Sequence, residues 1–399
     1  MSDSTNGGIP APTFDLCQEH KDLLQLADTF AKDKLGPLSE PMDRDEWWPD
    51  EIFPMLGEQG YLGITAPPEL GGSGLDLFSA GLVGQAIARW NPAVSLSWGA
   101  HENLCLNNIL RNGNEEQRKK YIPGLSNGSL VGALGLTEPG AGSDALGGMK
   151  TTARKEGDHY ILNGRKLWIT NGPIADVILV YAKTAPERGA KGISAFIVEK
   201  DFPGFSVAQK IEKMGYRGSP TGELLFDDCK VPAENLLGHE NLGVAVVMSG
   251  LDLERAFLAT AAIGLGERAL QLSLEYAKQR QQFGRPIAHF QMIQSKLADM
   301  YVDLETIRLI VYRALAACVD LEIGGGGRGS IHMMTAASIL HAARALKNLL
   351  DHAVQIHGGM GYAWESEINR LYRTAKLLEI GAGTNEVRQL IIAEELLRG

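Results

Sequence analysis

Apolar and polar positions change their rhythm twice along the chain. From about residue 14 to 130 apolar residues recur at helical spacing. In "CQEHKDLLQLADTFAKDKL", Leu23, Leu26, Ala27 and Phe30 fall on one stripe. "AGLVGQAIARW" and "SLSWGAHENLCLNNILRNG" predict further helices, the second closed by Asn112-Gly113. "PPELGGSG" (67–74) is a turn-rich connection. After about residue 130 the runs become short and β-branched. "HYILNGRKLWITNG" holds two of them around Asn163-Gly164, a hairpin signal. "ADVILVYAKT", "GISAFIVEK" and "GELLFDDCKVP" continue this texture to about residue 240. From about 241 long helical periods return, in "GVAVVMSGLDLERAFLATAAIGLGERALQLSLEYAKQR", "FQMIQSKLADMYVDLETIRLIVYRALAACVDLEI" and "GSIHMMTAASILHAARALKNLLDHAVQIHG". A shorter helix begins near Asn385, and "GGGGRG" (324–329) is a flexible connector.

The pattern divides the chain into a tail (1–13), an α-helical domain (14–130), a small all-β domain (131–240) and a helical domain (241–399). With 399 residues the chain exceeds the size at which one core keeps growing. The order helices, β module, helices excludes a doubly wound nucleotide fold, in which strand and helix alternate. "MSDSTNGGIPAPT" has neither an apolar signal core nor an Arg-rich transit pattern, and reads as a disordered tail.

Composition narrows the function. Apolar content of 44% and charged content of 22% are those of a soluble globular protein. A net charge of −10 argues against nucleic acid or an anionic membrane as partner, since both call for clustered Lys and Arg. No apolar run approaches the roughly 18 residues of a membrane span. Four scattered cysteines without a CxxC suggest reduced thiols in a cytosolic or matrix-like compartment. His101-Glu102 and His239-Glu240 lack the second histidine of a zinc helix, so no metal is expected, and no GxSxG elbow is present.

Four motifs carry candidate chemistry. "LTEPGAGSD" (136–144) is rich in small residues, which let backbone approach a ligand, and Thr137 and Ser143 are placed to donate to flavin or phosphate oxygens. "LWIT" sets Trp168 and Thr170 on one face of a strand. "RQQFGRP" offers Arg280, Gln282 and Arg285, and an arginine pairs well with a pyrophosphate. "QIHGGMGY" ends a helix in a glycine pair. Taken singly, each is equally an ordinary loop, strand, solvated helix end or cap.

The long helix adds a fifth feature. At 100° per residue Val247, Leu251, Leu258, Ala261 and Leu265 form one stripe, with Glu254 in its middle and Asp252 almost opposite. A carboxylate on a buried face is costly unless it is satisfied or used, and burial raises its pKa toward a general base's range. Satisfaction by Arg255 or a neighbouring helix is the equal alternative.

Together and in this order, "LTEPGAGSD", "WIT", "RQQFG", "QIHGGMGY" and "GAGTNE" resemble the acyl-CoA dehydrogenase family, from about residue 14 to the end. "SLSWGAHENLC", "ADVILVYAKT" and "MSGLDLERAFLA" are most similar to members acting on short branched acyl chains. The resemblance implies an α+β, mostly α fold: an N-terminal α-helical domain, a central β-barrel and a C-terminal four-helix bundle. It implies FAD, contacted by Leu136, Thr137, Gly142, Ser143, Trp168, Ile169 and Thr170, and also by Thr384 and Glu386. Arg280, Gln282, Phe283 and Gln291, with Gln355, Gly358 and Gly359, belong to the cofactor set too. In a homotetramer the Arg280 and Gln355 segments would lie on a neighbouring subunit's FAD. For the acyl-CoA it implies Ser143, Leu96, Ala100, Leu251, Asp252, Arg255, Gly381, Ala382 and Gly383.

Many members carry the catalytic glutamate where this chain has Ala382. In branched-chain members the base resembles Glu254, within the same "LDLER". The Ala382 N–H would remain as a donor to the thioester oxygen, alongside a ribityl hydroxyl of FAD. Gly381 stands where straight-chain relatives often carry a bulky aromatic, leaving room for a branch, and Trp98 departs from the tyrosine common in the family. Electrons would pass to electron-transfer flavoprotein. The compartment implied is bacterial cytoplasm or, for a mature eukaryotic chain, the mitochondrial matrix. Rival readings are another acyl chain, an oxidase, or a non-dehydrogenating flavoprotein relative bound to nucleic acid. The acidic charge and Glu254 speak against the last.

Overall fold

A computed structural model describes residues 16–319 and 327–398. The tail over 1–13 and residues 324–326 of the glycine connector lie outside the described residues.

The N-terminal domain is built from α1 (Gln18–Phe30), α2 (Ser39–Asp45), α3 (Ile52–Glu58), α4 (Leu77–Trp90), α5 (Pro92–Gly99), α6 (Asn107–Asn112) and α7 (Glu115–Ser126). Local chemistry starts these helices: Asp76 accepts the Ser79 N–H at α4, and Asn114 with Gln117 forms a capping box at α7. The stripe of α1 is rotated slightly from its expected place. Ala27 is buried, and Leu23, Leu24 and Phe30 pack against the core, but Leu26 is 65% exposed. Between α5 and α6 the chain widens into a π-helix over Ala100–Leu106.

The middle domain holds β1 (Gly132–Gly135), β2 (Thr152–Glu156), β3 (His159–Thr170), β4 (Val177–Lys183), β5 (Ile193–Glu199), β6 (Phe205–Lys210), β7 (Thr221–Pro232) and β8 (Leu236–Leu237). They form one eight-stranded sheet in the order β6-β7-β3-β2-β4-β5-β8, with β1 parallel to β4. Tyr160, Phe196 and Phe226 fill its core. The hairpin expected at Asn163-Gly164 is not there. β3 is a single 12-residue strand, and Asn163-Gly164 marks a bulge opposite β7. Gly164 has φ +152°, and a Cβ there would meet Thr151 Oγ1 at 2.4 Å. The hairpin turn is Gly157-Asp158, which joins β2 to β3. β1 (GALG) and β6 (FSVAQK) carry too few β-branched residues to stand out in the sequence.

The C-terminal domain is a bundle of α8 (Gly243–Gln279), α9 (Gln291–Cys318), α10 (Gly329–His357) and α13 (Asn385–Arg398). Two short helices, α11 (Gly359–Tyr362) and α12 (Glu367–Ala375), connect α10 to α13. α8 packs on α9, α10 and α4. One hydrophobic core therefore runs from the N-terminal helices into the bundle. For the same reason α8 is not amphipathic at Glu254. Asp252, expected to point away from the buried stripe, is itself fully buried. The four cysteines are unpaired, and no helix among the described residues is long and apolar enough to cross a membrane.

Candidate active site

Glu254 sits on α8 in a half-buried position and makes no hydrogen bond or ion pair with a described residue. Burial pushes its carboxyl up to about 7, while the charges of Arg255 and Arg388 work the other way. Arg255 does not satisfy it. The Arg255 guanidinium turns to Asp252 at 3.2 Å, and both are buried. Asp252 also takes the His332 ring nitrogen at 2.6 Å and the Gly327 N–H at 2.7 Å. Burial opposes its charge, yet these partners outweigh it and hold the Asp252 carboxyl below its usual value. Two carboxylates two residues apart thus have opposite characters: Asp252 is a tied anion, and Glu254 has a raised pKa and no bond to a described residue.

The segment Gly381-Ala382-Gly383 precedes α13. Ala382 has φ +54° and Gly383 φ +90°. Gly381 is not left-handed, and a Cβ there would only touch Leu377, at 3.4 Å or more. The Ala382 N–H makes no hydrogen bond with a described residue. The segment is held from behind by Arg388, which is wholly buried. Arg388 donates to the carbonyls of Leu378 at 2.6 Å and Gly381 at 2.5 Å, and to Asn385 at 2.9 Å. Burial, then the charge of Arg255, pull its pKa down to about 10. Arg388 escaped the sequence reading because a cation in "NEVRQL" looks like any solvated helix charge.

Leu96 on α5 and Leu251 and Leu258 on α8 are half-buried, whereas Ala100 is 5% exposed, at the first residue of the π-helix. Trp98 points away from them into the core. Its indole N–H donates to the Tyr61 carbonyl at 2.6 Å, and its ring stacks on Phe257 with centroids 4.9 Å apart. The departure from tyrosine therefore ties α5 to α8 through a buried indole.

A second group lies on the middle domain. Leu136 and Thr137 are half-buried and Gly142 and Ser143 exposed; a Cβ on Gly140 or Gly142 would meet nothing within 4 Å. Trp168 is 57% exposed with φ +65°, in a bulge between Lys166 and Ile169. This bulge, rather than plain strand alternation, turns the indole outward. Ile169 points into the core and Thr170 is half-buried.

A third group sits at the far end of α8. Arg280 ends the helix, and Gln281–Gln282 (β9) pairs with Arg285–Pro286 (β10). The turn residues Phe283 and Gly284 both have positive φ, the pattern of a type I′ turn, and Phe283 is 92% exposed. Gln291 is exposed at the start of α9, as are Gln355, Gly358 and Gly359 at the end of α10. Stacked rings of Tyr276 and His357, 4.4 Å apart, bring the two helix ends together. From Glu254 to Arg280 α8 rises about 39 Å, at about 1.5 Å per residue. One chain therefore does not gather Glu254 and Arg280 into one site. Thr384 accepts the Val387 N–H, and Glu386 is exposed in the first turn of α13.

The three domains match the acyl-CoA dehydrogenase N-terminal (17–129), middle (133–229) and C-terminal (241–397) domain families. The chain is 48% identical over 381 residues to a mitochondrial isovaleryl-CoA dehydrogenase of Pongo abelii, covering 94% of this chain and 88% of that one. It is 44% identical to a mitochondrial 2-methylacyl-CoA dehydrogenase of Solanum tuberosum, covering 92% and 88%. The structure of butyryl-CoA dehydrogenase from Megasphaera elsdenii superposes with a TM-score of 0.92, at 39% identity over 97% of this chain and 100% of that one. The chain belongs to the acyl-CoA dehydrogenase family. It is an oxidoreductase of that family, and its cofactor is FAD. The middle domain fits such a group: an open loop, where a Cβ on Gly140 or Gly142 would meet nothing within 4 Å, lies in the same domain as an exposed indole and a threonine.

Proposed function

We propose that this enzyme oxidises isovaleryl-CoA to 3-methylcrotonyl-CoA, a step of leucine breakdown, and hands its electrons to electron-transfer flavoprotein. The observation that carries the reading is Glu254: a half-buried carboxylate of raised pKa with no bonded partner among the described residues, in a chain whose alternative base position is Ala382. Glu254 removes the α-proton. The Ala382 N–H, unbonded among the described residues, donates to the thioester oxygen as negative charge develops there. Bound FAD supplies the acceptor for the hydride that leaves the β-carbon. Leu96, Leu251, Leu258 and Gly381 bound the space for the acyl branch, and Asp252 with Arg255 fixes the wall beside the base. Similarity to the Pongo enzyme supports this chain length. The Solanum relative supports a second reading, a 2-methyl-branched acyl-CoA. A panel of acyl-CoA substrates read by anaerobic flavin bleaching decides between them. A best substrate without a branch overturns the proposal.

The base must be ionised to act. With a folded pKa near 7, the rate of flavin reduction is expected to rise as pH passes upward through about 7 and to level off above it. Stopped-flow bleaching across that range checks this, and a flat profile contradicts the assignment.

The Arg280 and Gln355 segments belong, in this proposal, to the FAD of a neighbouring copy in a homotetramer. The exposed Phe283 and the long reach of α8 support that placement. Arg280→Ala is expected to weaken FAD retention while leaving the remaining holoenzyme's chemistry nearly unchanged. Full flavin occupancy at wild-type affinity contradicts it.

A further inference from the structure

The two middle-domain segments of the cofactor set, 136–143 and 168–170, are joined by a buried ion pair that the site chemistry does not use. Lys166 is wholly buried on β3, and Glu138 is 6% exposed in the glycine loop. The Lys166 ammonium donates to Glu138 at 2.9 Å and to the Leu136 carbonyl at 3.1 Å. Glu138 also accepts the backbone N–H groups of Lys150 at 2.7 Å and Thr151 at 3.0 Å. One residue on, the Leu167 N–H donates to the Thr137 carbonyl at 2.8 Å. The Lys166 stem lies over Gly135, where a Cβ would meet it at 3.3 Å. Three separate stretches, 136–138, 150–151 and 166–167, thus meet at one pair of charges.

Stability alone does not explain the pair. The desolvation of two buried charges roughly cancels their attraction, and apolar residues of similar volume often serve as well. What ions add is direction, because each bond fixes an atom rather than a surface. Burial lowers the Lys166 pKa to about 8 against the pull of Glu138, and Lys166 holds Glu138 below its usual value despite burial. Both are charged at neutral pH.

We propose that Lys166 and Glu138 are positioning residues that set the glycine loop and the Trp168 bulge in register before FAD binds. The proposal rests on the reading that these segments face the flavin. The Leu136 and Thr137 backbone is locked from the β3 side, so Gly140 and Gly142 open from a fixed base. The same lock immediately precedes Trp168 and its left-handed φ of +65°. Without the pair the loop samples other arrangements, and apparent affinity falls by the fraction of time it is competent.

The test uses the full-length chain, stripped of flavin and titrated with FAD. The double variant Lys166→Met/Glu138→Gln leaves no unpaired charge. It is expected to melt near the wild-type apoprotein temperature but to bind FAD at least about tenfold more weakly, with a shifted absorption band for bound flavin. Wild-type affinity together with a wild-type flavin spectrum overturns the proposal. Should the double variant not fold, Glu138→Gln alone keeps the shape and one acceptor. It is expected to weaken FAD binding by about threefold, and an unchanged affinity overturns the proposal equally. Thr170→Val separates the two levels. If it shifts the flavin band and the double variant does not, the segments face the flavin and the ion pair does not position them. If neither has an effect, the placement of the segments is wrong and the proposal falls with it.

Discussion

Glu254→Gln is expected to bind FAD and acyl-CoA and yet to reduce the flavin several orders of magnitude more slowly than the wild-type enzyme. The amide keeps the shape and cannot take the α-proton. The surroundings should tolerate it, because Glu254 makes no bond with a described residue that the change would break. Arg255 remains held by Asp252. Removing a half-buried carboxylate of raised pKa also removes a desolvation cost, so the variant should melt no lower than the wild type. The sign is consistent: a carboxylate whose folded pKa lies above its unfolded value favours folding only while protonated, and opposes it once ionised. Anaerobic reduction by isovaleryl-CoA is the measurement. A rate within about tenfold of wild type, about 1.4 kcal/mol of barrier, would place the base elsewhere.

Gly381→Tyr is expected to turn the enzyme from branched toward straight chains. Two explanations for this glycine compete, space for a ligand and freedom of backbone. The geometry favours space. Gly381 does not have a positive φ, unlike Ala382 and Gly383 beside it, and a Cβ would make only ordinary contact with Leu377. Its carbonyl, held by Arg388, is unaffected by a side chain. A tyrosine ring is therefore expected to fit the backbone and intrude on the acyl space, where it penalises a β-methyl before a linear chain. Pocket changes of this kind are worth about 1–3 kcal/mol, so the ratio of kcat/KM for isovaleryl-CoA over butyryl-CoA should fall by roughly ten- to two-hundredfold. An unchanged ratio in a folded, flavinated variant removes Gly381 from the specificity argument.

How much of this was legible in the sequence depended on whether a feature was local. Glu254 could be found because helical periodicity places it among apolar residues on α8. Asp252 could not be placed correctly, because its burial comes from α10, whose His332 lies 80 positions away in the chain. Asn163-Gly164 misled for a chemical reason: the dipeptide that closes a hairpin also suits a bulge, and only the pairing of β3 along β7 distinguishes them. Lys166 and Arg388 did not stand out in the sequence, because a lone cation there does not announce its burial, nor Glu138 28 positions away and the Gly381 carbonyl seven positions away as its partners. The cofactor motifs were visible one by one. Their grouping came only from the resemblance of the ordered set, since no single motif shows that the length of α8 (Gly243–Gln279) separates Arg280 from Glu254.

The left-handed Ala382 has a consequence for how the family can diversify. An L-residue at φ +54° sits in a conformation that is disfavoured by about 1–2 kcal/mol, so the 381–383 turn tolerates only a narrow choice of backbone. With Glu254 on α8 as the base, as proposed, that turn would contribute shape and one N–H but no reacting side chain. Substitutions that recontour it are then expected to alter which acyl-CoA is preferred without erasing the reaction. A chain that kept its base at 382 would put both at risk in the same mutation. On that proposal, carrying the reactive carboxylate on a helix packed against α4, α9 and α10 would let substrate preference drift while turnover is preserved.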